Sequence, residues 1–98
     1  MQVTIPHTLG SAAAAKHKVM QALDEARGKL AGQATIEKEE WQGDTLNFAF
    51  VAQGQSISGT FEVREHDFYL DAKLPLMLRM FEGRIKSAIE EQAQKMLK

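Results

Sequence analysis

Three histidines, His7, His17 and His66, are the side chains of this 98-residue chain best suited to proton transfer or metal binding. Imidazole titrates near neutral pH and ligates divalent metals through either ring nitrogen. Metal sites draw their ligands from short, regular spacings, and neither HxH nor HExxH occurs here. The chain has no cysteine, which removes thiol nucleophiles, disulfides and zinc–thiolate sites. The run Gly54-Gln55-Ser56-Ile57-Ser58-Gly59 superficially resembles a nucleophile elbow. That motif requires a strand-to-helix turn, whereas Ser56 and Ser58 fall at a hairpin and on a strand. Glu39, Glu40, Asp44, Asp67 and Asp71 could in principle supply paired carboxylates. Acid–base catalysis needs two such groups held together with their pKa values pushed apart by burial. Asp44 and Asp67 fall in turns, where aspartate bonds its own backbone, and Asp71 faces the wet side of a strand. No catalytic, cofactor or metal set is therefore expected, and His7 and Asp44 are only weak polar candidates.

The composition bounds the protein class. One domain over residues 1–98 is expected, with 44% apolar and 26% charged residues, as in ordinary globular proteins. A domain of this size has a core but little room for a large cavity. The net charge of −1 gives no general attraction to polyanions. The opening MQVTIPHTLG lacks the basic and apolar regions of a signal peptide. No apolar run approaches the roughly 18–20 residues of a transmembrane helix. A cytoplasmic location is expected.

These side chains must be positioned by an α+β arrangement. Val3 and Ile5 share one face of a short strand over 2–5, which Pro6 ends. Ser11 can cap a helix over 11–31, where Ala12, Val19, Leu23, Ala26 and Leu30 form one stripe. Gly32 suits its C-terminal end. Residues 34–42 read as a strand in which Ile36 and Trp41 have opposite parity, so a bulge is expected between them. Three further strands alternate cleanly through Leu46, Phe48 and Phe50, through Ile57, Gly59, Phe61 and Val63, and through Phe68, Leu70, Ala72 and Leu74. Alternation of this kind makes an antiparallel sheet with one wet face. That wet face offers one tyrosine, Tyr69, among mixed charges, so nucleic-acid binding is not expected. Pro75 opens a C-terminal helix with a stripe of Leu78, Phe81, Ile85, Ile89, Ala93 and Met96. The predicted order is β-α-β-β-β-β-α, a helix-grip-like fold with both helices on one face of the sheet.

The C-terminal helix carries the sharpest alternative. Leu76, Met77, Met80 and Leu97 widen its apolar side, among the cations Arg79, Arg84, Lys86, Lys95 and Lys98. Methionine adapts to irregular surfaces. The stripe either fills the core or meets a partner, a lipid-like ligand or a hydrophobic surface. Trp41, Phe48, Phe61, Met77, Leu78, Met80 and Phe81 together mark the expected cleft or interface.

Several segments resemble one known family. They are His7-Thr8-Leu9-Gly10 before the first helix, Trp41-Gln42-Gly43-Asp44-Thr45-Leu46-Asn47-Phe48, Ser58-Gly59-Thr60-Phe61, and Leu74-Pro75 before the last helix. In order and spacing over nearly the whole chain they resemble the polyhydroxyalkanoic acid system protein family, short bacterial proteins encoded among genes for storage polyester. Relatives tend to carry an acidic residue where this chain has Ala12–Ala15. The resemblance implies association with storage granules or their metabolism, and it implies no reaction. The leading expectation is a non-enzymatic accessory protein that binds a granule surface, a granule protein or a hydrophobic acyl-type ligand. The alternatives are a small enzyme acting on acyl intermediates and a scaffold that forms a homodimer.

Overall fold

The alternating segments form one antiparallel sheet. The computed structural model describes residues 1–97. Lys98, and the side chains of Leu30 and Met96 that the sequence places in the helical stripes, lie outside the described residues. Strands β1 (Gln2–Pro6), β2 (Ala34–Gln42), β3 (Thr45–Ala52), β4 (Gln55–Val63) and β5 (Asp67–Lys73) assemble in the order β1-β5-β4-β3-β2. The meander β2 to β5 is joined by tight hairpins. Gln53 and Gly54 both have positive φ, at 53° and 76°, between the paired residues Ala52 and Gln55. That is the left-handed turn which matches the strand twist. Between β2 and β3 only the first turn residue, Gly43, has positive φ, at 62°. The expected bulge lies between Ile36 and Lys38, so Glu37 is the residue left over.

Helix α1 (Ala12–Leu30) is capped by Ser11, whose hydroxyl oxygen accepts from the Ala14 N–H at 3.1 Å. It crosses back over the same sheet face that receives the C-terminal segment, giving the α+β arrangement. That segment is not one helix. It divides into α2 (Leu76–Arg79) and α3 (Glu82–Met96), because Phe81 leaves the helical region at φ −107° and ψ 13°. The Phe81 N–H closes a tight turn on the Leu78 carbonyl at 3.0 Å, and Gly83 in the first turn of α3 adds little helical preference. The break keeps Ile85, Ile89 and Ala93 half-buried while Phe81 is exposed.

The core is concentrated over β1 and β5. Val3, Ile5, Phe68, Leu70, Ala72 and Val63 are buried there beneath Ala15 and Val19 of α1. Phe48, Phe50 and Ile57, on the same sheet face farther toward β2, are only half-buried. Burial thus falls across the sheet from β1 to β2, with Leu46 at the start of β3 the buried exception.

An inward-facing glycine such as Gly59 is expected from the sequence to let a helix approach closely, and the structure gives it a different purpose. A Cβ at Gly59 would meet the Asp71 carbonyl oxygen at 2.1 Å and the Ala72 Cα at 2.8 Å. The residue is bare because the backbone of the neighbouring strand β5 presses against it. Backbone cannot yield as a side-chain tip does, so Gly59→Ala is expected to destabilise the fold by at least about 2 kcal/mol. Urea denaturation would register this, and an unchanged midpoint would contradict the packing described.

Candidate functional site

The stripe on α1 determines where the sheet is left uncovered. Ala15 and Val19 are buried, and one turn further along the lining is made by Ala22, Leu23 and Ala26. Alanine does not reach far from a helix, so the facing residues Phe48 and Phe50 of β3 are not met by equally large side chains. The result is an open groove of about 390 Å³ between the second half of α1 and strands β2 and β3. Its floor is Leu46, Phe48, Phe50 and Phe61, with Ile36 at the outer side. A second groove of about 430 Å³ lies on the other flank of α1, between Ile5, Phe61 and Phe68 of the sheet and Ile85, Ile89 and Ala93 of α3. Val19 and Phe61 belong to both grooves. Volumes of this order match small-molecule sites. A chain of this length was expected to fill its own interior, and over β2 and β3 it does not.

Helix α1 is held at two places of different character. Near its start, the Lys16 ammonium lies 4.8 Å above the Trp41 ring centre and donates to the Gly43 carbonyl at 2.8 Å. This joins the helix to the Trp41-Gln42-Gly43-Asp44 segment through a cation–π contact and a hydrogen bond. Nearer its end, Arg27 reaches across the groove mouth and pairs with Glu39 of β2, and it also pairs with Asp24 at 2.8 Å. The hydrogen bond to Glu39, and then its charge, raise the Arg27 pKa above its ordinary value. The guanidinium and the Glu39 carboxylate therefore neutralise one another at the rim. Sequence periodicity gives a signal for this pair. Once the bulge is allowed, Glu39 has the inward parity of Trp41, and an inward carboxylate marks a rim rather than a core.

The candidate residues separate into three places. Phe48 and Phe61 lie on the groove floor. Trp41 is half-buried against the core beside them. Met77, Leu78, Met80 and Phe81 are not in a cleft between sheet and helix. They surround α2, with Leu78 half-buried and Met77, Met80 and Phe81 exposed. Asp44 is exposed in the β2–β3 turn, where its backbone carbonyl accepts from the Val63 N–H at 2.8 Å.

His7 is buried and tied on both ring nitrogens. Nε2 lies 2.8 Å from the Arg64 carbonyl, and Nδ1 accepts from the Leu9 N–H at 3.2 Å. The partners specify the tautomer with the proton on Nε2. The ring also lies 4.6 Å from that of Phe68. His7 thereby joins the end of β1 to the β4–β5 hairpin and to the approach to α1. His17 and His66 are exposed. Among the described residues no group of three His, Cys, Asp or Glu side chains is arranged to hold a metal ion. The Oδ1 atom of Asp67 is buried without a hydrogen bond, but it lies 3.7 Å from the Arg64 guanidinium and lines neither groove.

Removing the imidazole strands two backbone groups, each costing about 1–3 kcal/mol when buried. His7→Ala is therefore expected to lower stability by about 2–4 kcal/mol in thermal or urea unfolding. A variant as stable as the parent would return His7 to the list of residues free to act on a ligand.

No curated protein and no solved structure matches the chain. A family model does match, over residues 1–97, and that span takes in the His7 tie, the Trp41–Asp44 turn, the bare Gly59 and both grooves. The chain belongs to the family described as "Putative polyhydroxyalkanoic acid system protein".

Proposed function

We propose that the protein is a non-enzymatic accessory protein of polyhydroxyalkanoate metabolism that holds a hydrophobic acyl-type ligand between α1 and the sheet. One observation carries this reading: the groove beneath the second half of α1 is open, apolar and floored by Phe48, Phe50 and Phe61. Apolar walls with few polar groups favour a ligand whose binding comes from buried carbon. Chemistry would need a nucleophile or a proton donor aimed into that space. The charged residues of the lining, Lys38 and Glu39, belong to β2, and Glu39 is already paired with Arg27.

The rim selects among acyl compounds. Arg27 is answered by Glu39 and Asp24, and Lys38 lies 4.0 Å from the Glu40 carboxylate, so a free carboxylate finds each rim cation already facing an acid and meets Glu39 besides. A neutral ester of a medium-length hydroxyacyl group fits this mouth better than its parent acid. The family's connection with a polyester supports the same choice.

The test fills the groove from within. Ala26 lines it and is half-buried. Ala26→Phe places a ring where the acyl chain would lie, and burying part of that ring should add about 1 kcal/mol of stability. Methyl 3-hydroxydecanoate is the probe, titrated by calorimetry. The parent protein is expected to bind it more tightly than the free acid, and the variant at least roughly tenfold more weakly than the parent. Equal affinity in parent and variant, or no binding by the parent, would overturn the reading.

A further inference from the structure

The four most exposed large apolar side chains among the described residues cluster at one corner, away from both grooves. Leu76, Met77, Met80 and Phe81 are 77%, 69%, 85% and 49% exposed, and they occupy the short α2 turn and the break that follows it. Scattered exposed apolar residues need no explanation, but four within six consecutive positions make a patch. The segment that carries them also has a surplus of cations. Residues 71–86 carry Lys73, Arg79, Arg84 and Lys86 against Asp71 and Glu82, a net charge of +2 in a chain whose net charge is −1. All six of these charged side chains are exposed. Lys73 and Arg79 line one hollow at the foot of α2 together with Asp71 and Glu82, which leaves Arg84 and Lys86 as the surplus cations of the segment.

We infer that the α2 corner is an interfacial anchor for an anionic lipid surface. Leu76, Met77, Met80 and Phe81 enter the boundary between headgroups and acyl chains, and Lys73, Arg79, Arg84 and Lys86 remain at the level of the headgroup phosphates. The charge complementarity chooses this occupant. A bare polyester surface is neutral and gives the cations nothing to meet. An anionic lipid surface rewards both halves of the corner, with each cation multiplying affinity by roughly five. Methionine suits such a surface because its flexible side chain needs no shaped pocket. The α2 turn is short and no helix is long and apolar enough to cross a membrane among the described residues, so the contact is a shallow one. This inference is independent of the acyl groove, because none of the four apolar residues lines it.

The test uses the whole chain with vesicles of phosphatidylcholine alone and of phosphatidylcholine mixed equally with phosphatidylglycerol, read by flotation. Binding is expected to the mixed vesicles, falling at least roughly tenfold in high salt as the charges are screened. Met77→Ser with Met80→Ser, and separately Arg79→Gln with Arg84→Gln, are each expected to weaken it by about tenfold or more. All of these residues are exposed, so unchanged thermal unfolding would show that the variants remain folded. Ala26→Phe is expected to bind vesicles like the parent, which separates failure of the groove reading from failure of this one. Equal binding to both vesicle types, no binding to either, or binding only to polyester granules would overturn the inference. So would a dimer in sizing chromatography that the Met77→Ser, Met80→Ser variant abolishes, since the corner would then pair copies of the chain.

Discussion

The length of the side chains on α1 governs much of this structure. A five-stranded sheet presents a broad apolar face, and two slender helices must cover it. Where α1 offers Ala15 and Val19 over β1, β5 and β4, the layers close and the residues are buried. Where it offers Ala22 and Ala26 over β2 and β3, they do not close. Interiors normally pack without such gaps, so the open half of the sheet is the most consequential feature of the fold. The ties at the two ends of α1 match this division. Lys16 is joined to Trp41 and Gly43 at the closed end, and Arg27 bridges to Glu39 across the open one. An ion pair between partly exposed groups contributes little stability.

The break after α2 separates two apolar surfaces that a continuous helix would have joined in one stripe. Ile85, Ile89 and Ala93 turn toward the sheet and wall the second groove. Leu76, Met77 and Met80 turn outward. The molecule thus carries an apolar groove whose rim charges cancel and an apolar corner in a segment with a net positive charge. One suits a neutral chain and the other an anionic surface.

Much of the fold was legible because period-two alternation is a direct record of a half-buried sheet. Ser11, Gly32, Gly43 and Gly54 marked the ends and turns through backbone requirements that few residues meet. The bulge followed from the opposing parity of Ile36 and Trp41. Three things were less visible. The helical spacing of Leu78, Phe81 and Ile85 runs through a break, because periodicity counts residues and does not register a local departure from helical dihedral angles. Gly59 carries no sign of whether a helix or a neighbouring strand crowds it, and it is the strand. The groove itself arises from what Ala22 and Ala26 lack, and small residues in an apolar stripe look the same whether the opposite layer closes on them or stands away. Phe48 and Phe61 were identifiable as floor residues from alternation, whereas Arg27 and Glu39 needed the register of β2 against β3.

Methyl-resolved NMR during titration with a neutral hydroxyacyl ester tests most directly whether the groove beneath α1 holds an acyl chain. Acyl binding there is expected to give saturable shifts at Val19, Leu23, Ile36 and Leu46, with nuclear Overhauser contacts between the ester's methylenes and the Phe48 and Phe50 rings, and little change at Leu76. Shifts confined to Leu76 and its neighbours, or none at the residues lining the groove, would contradict it.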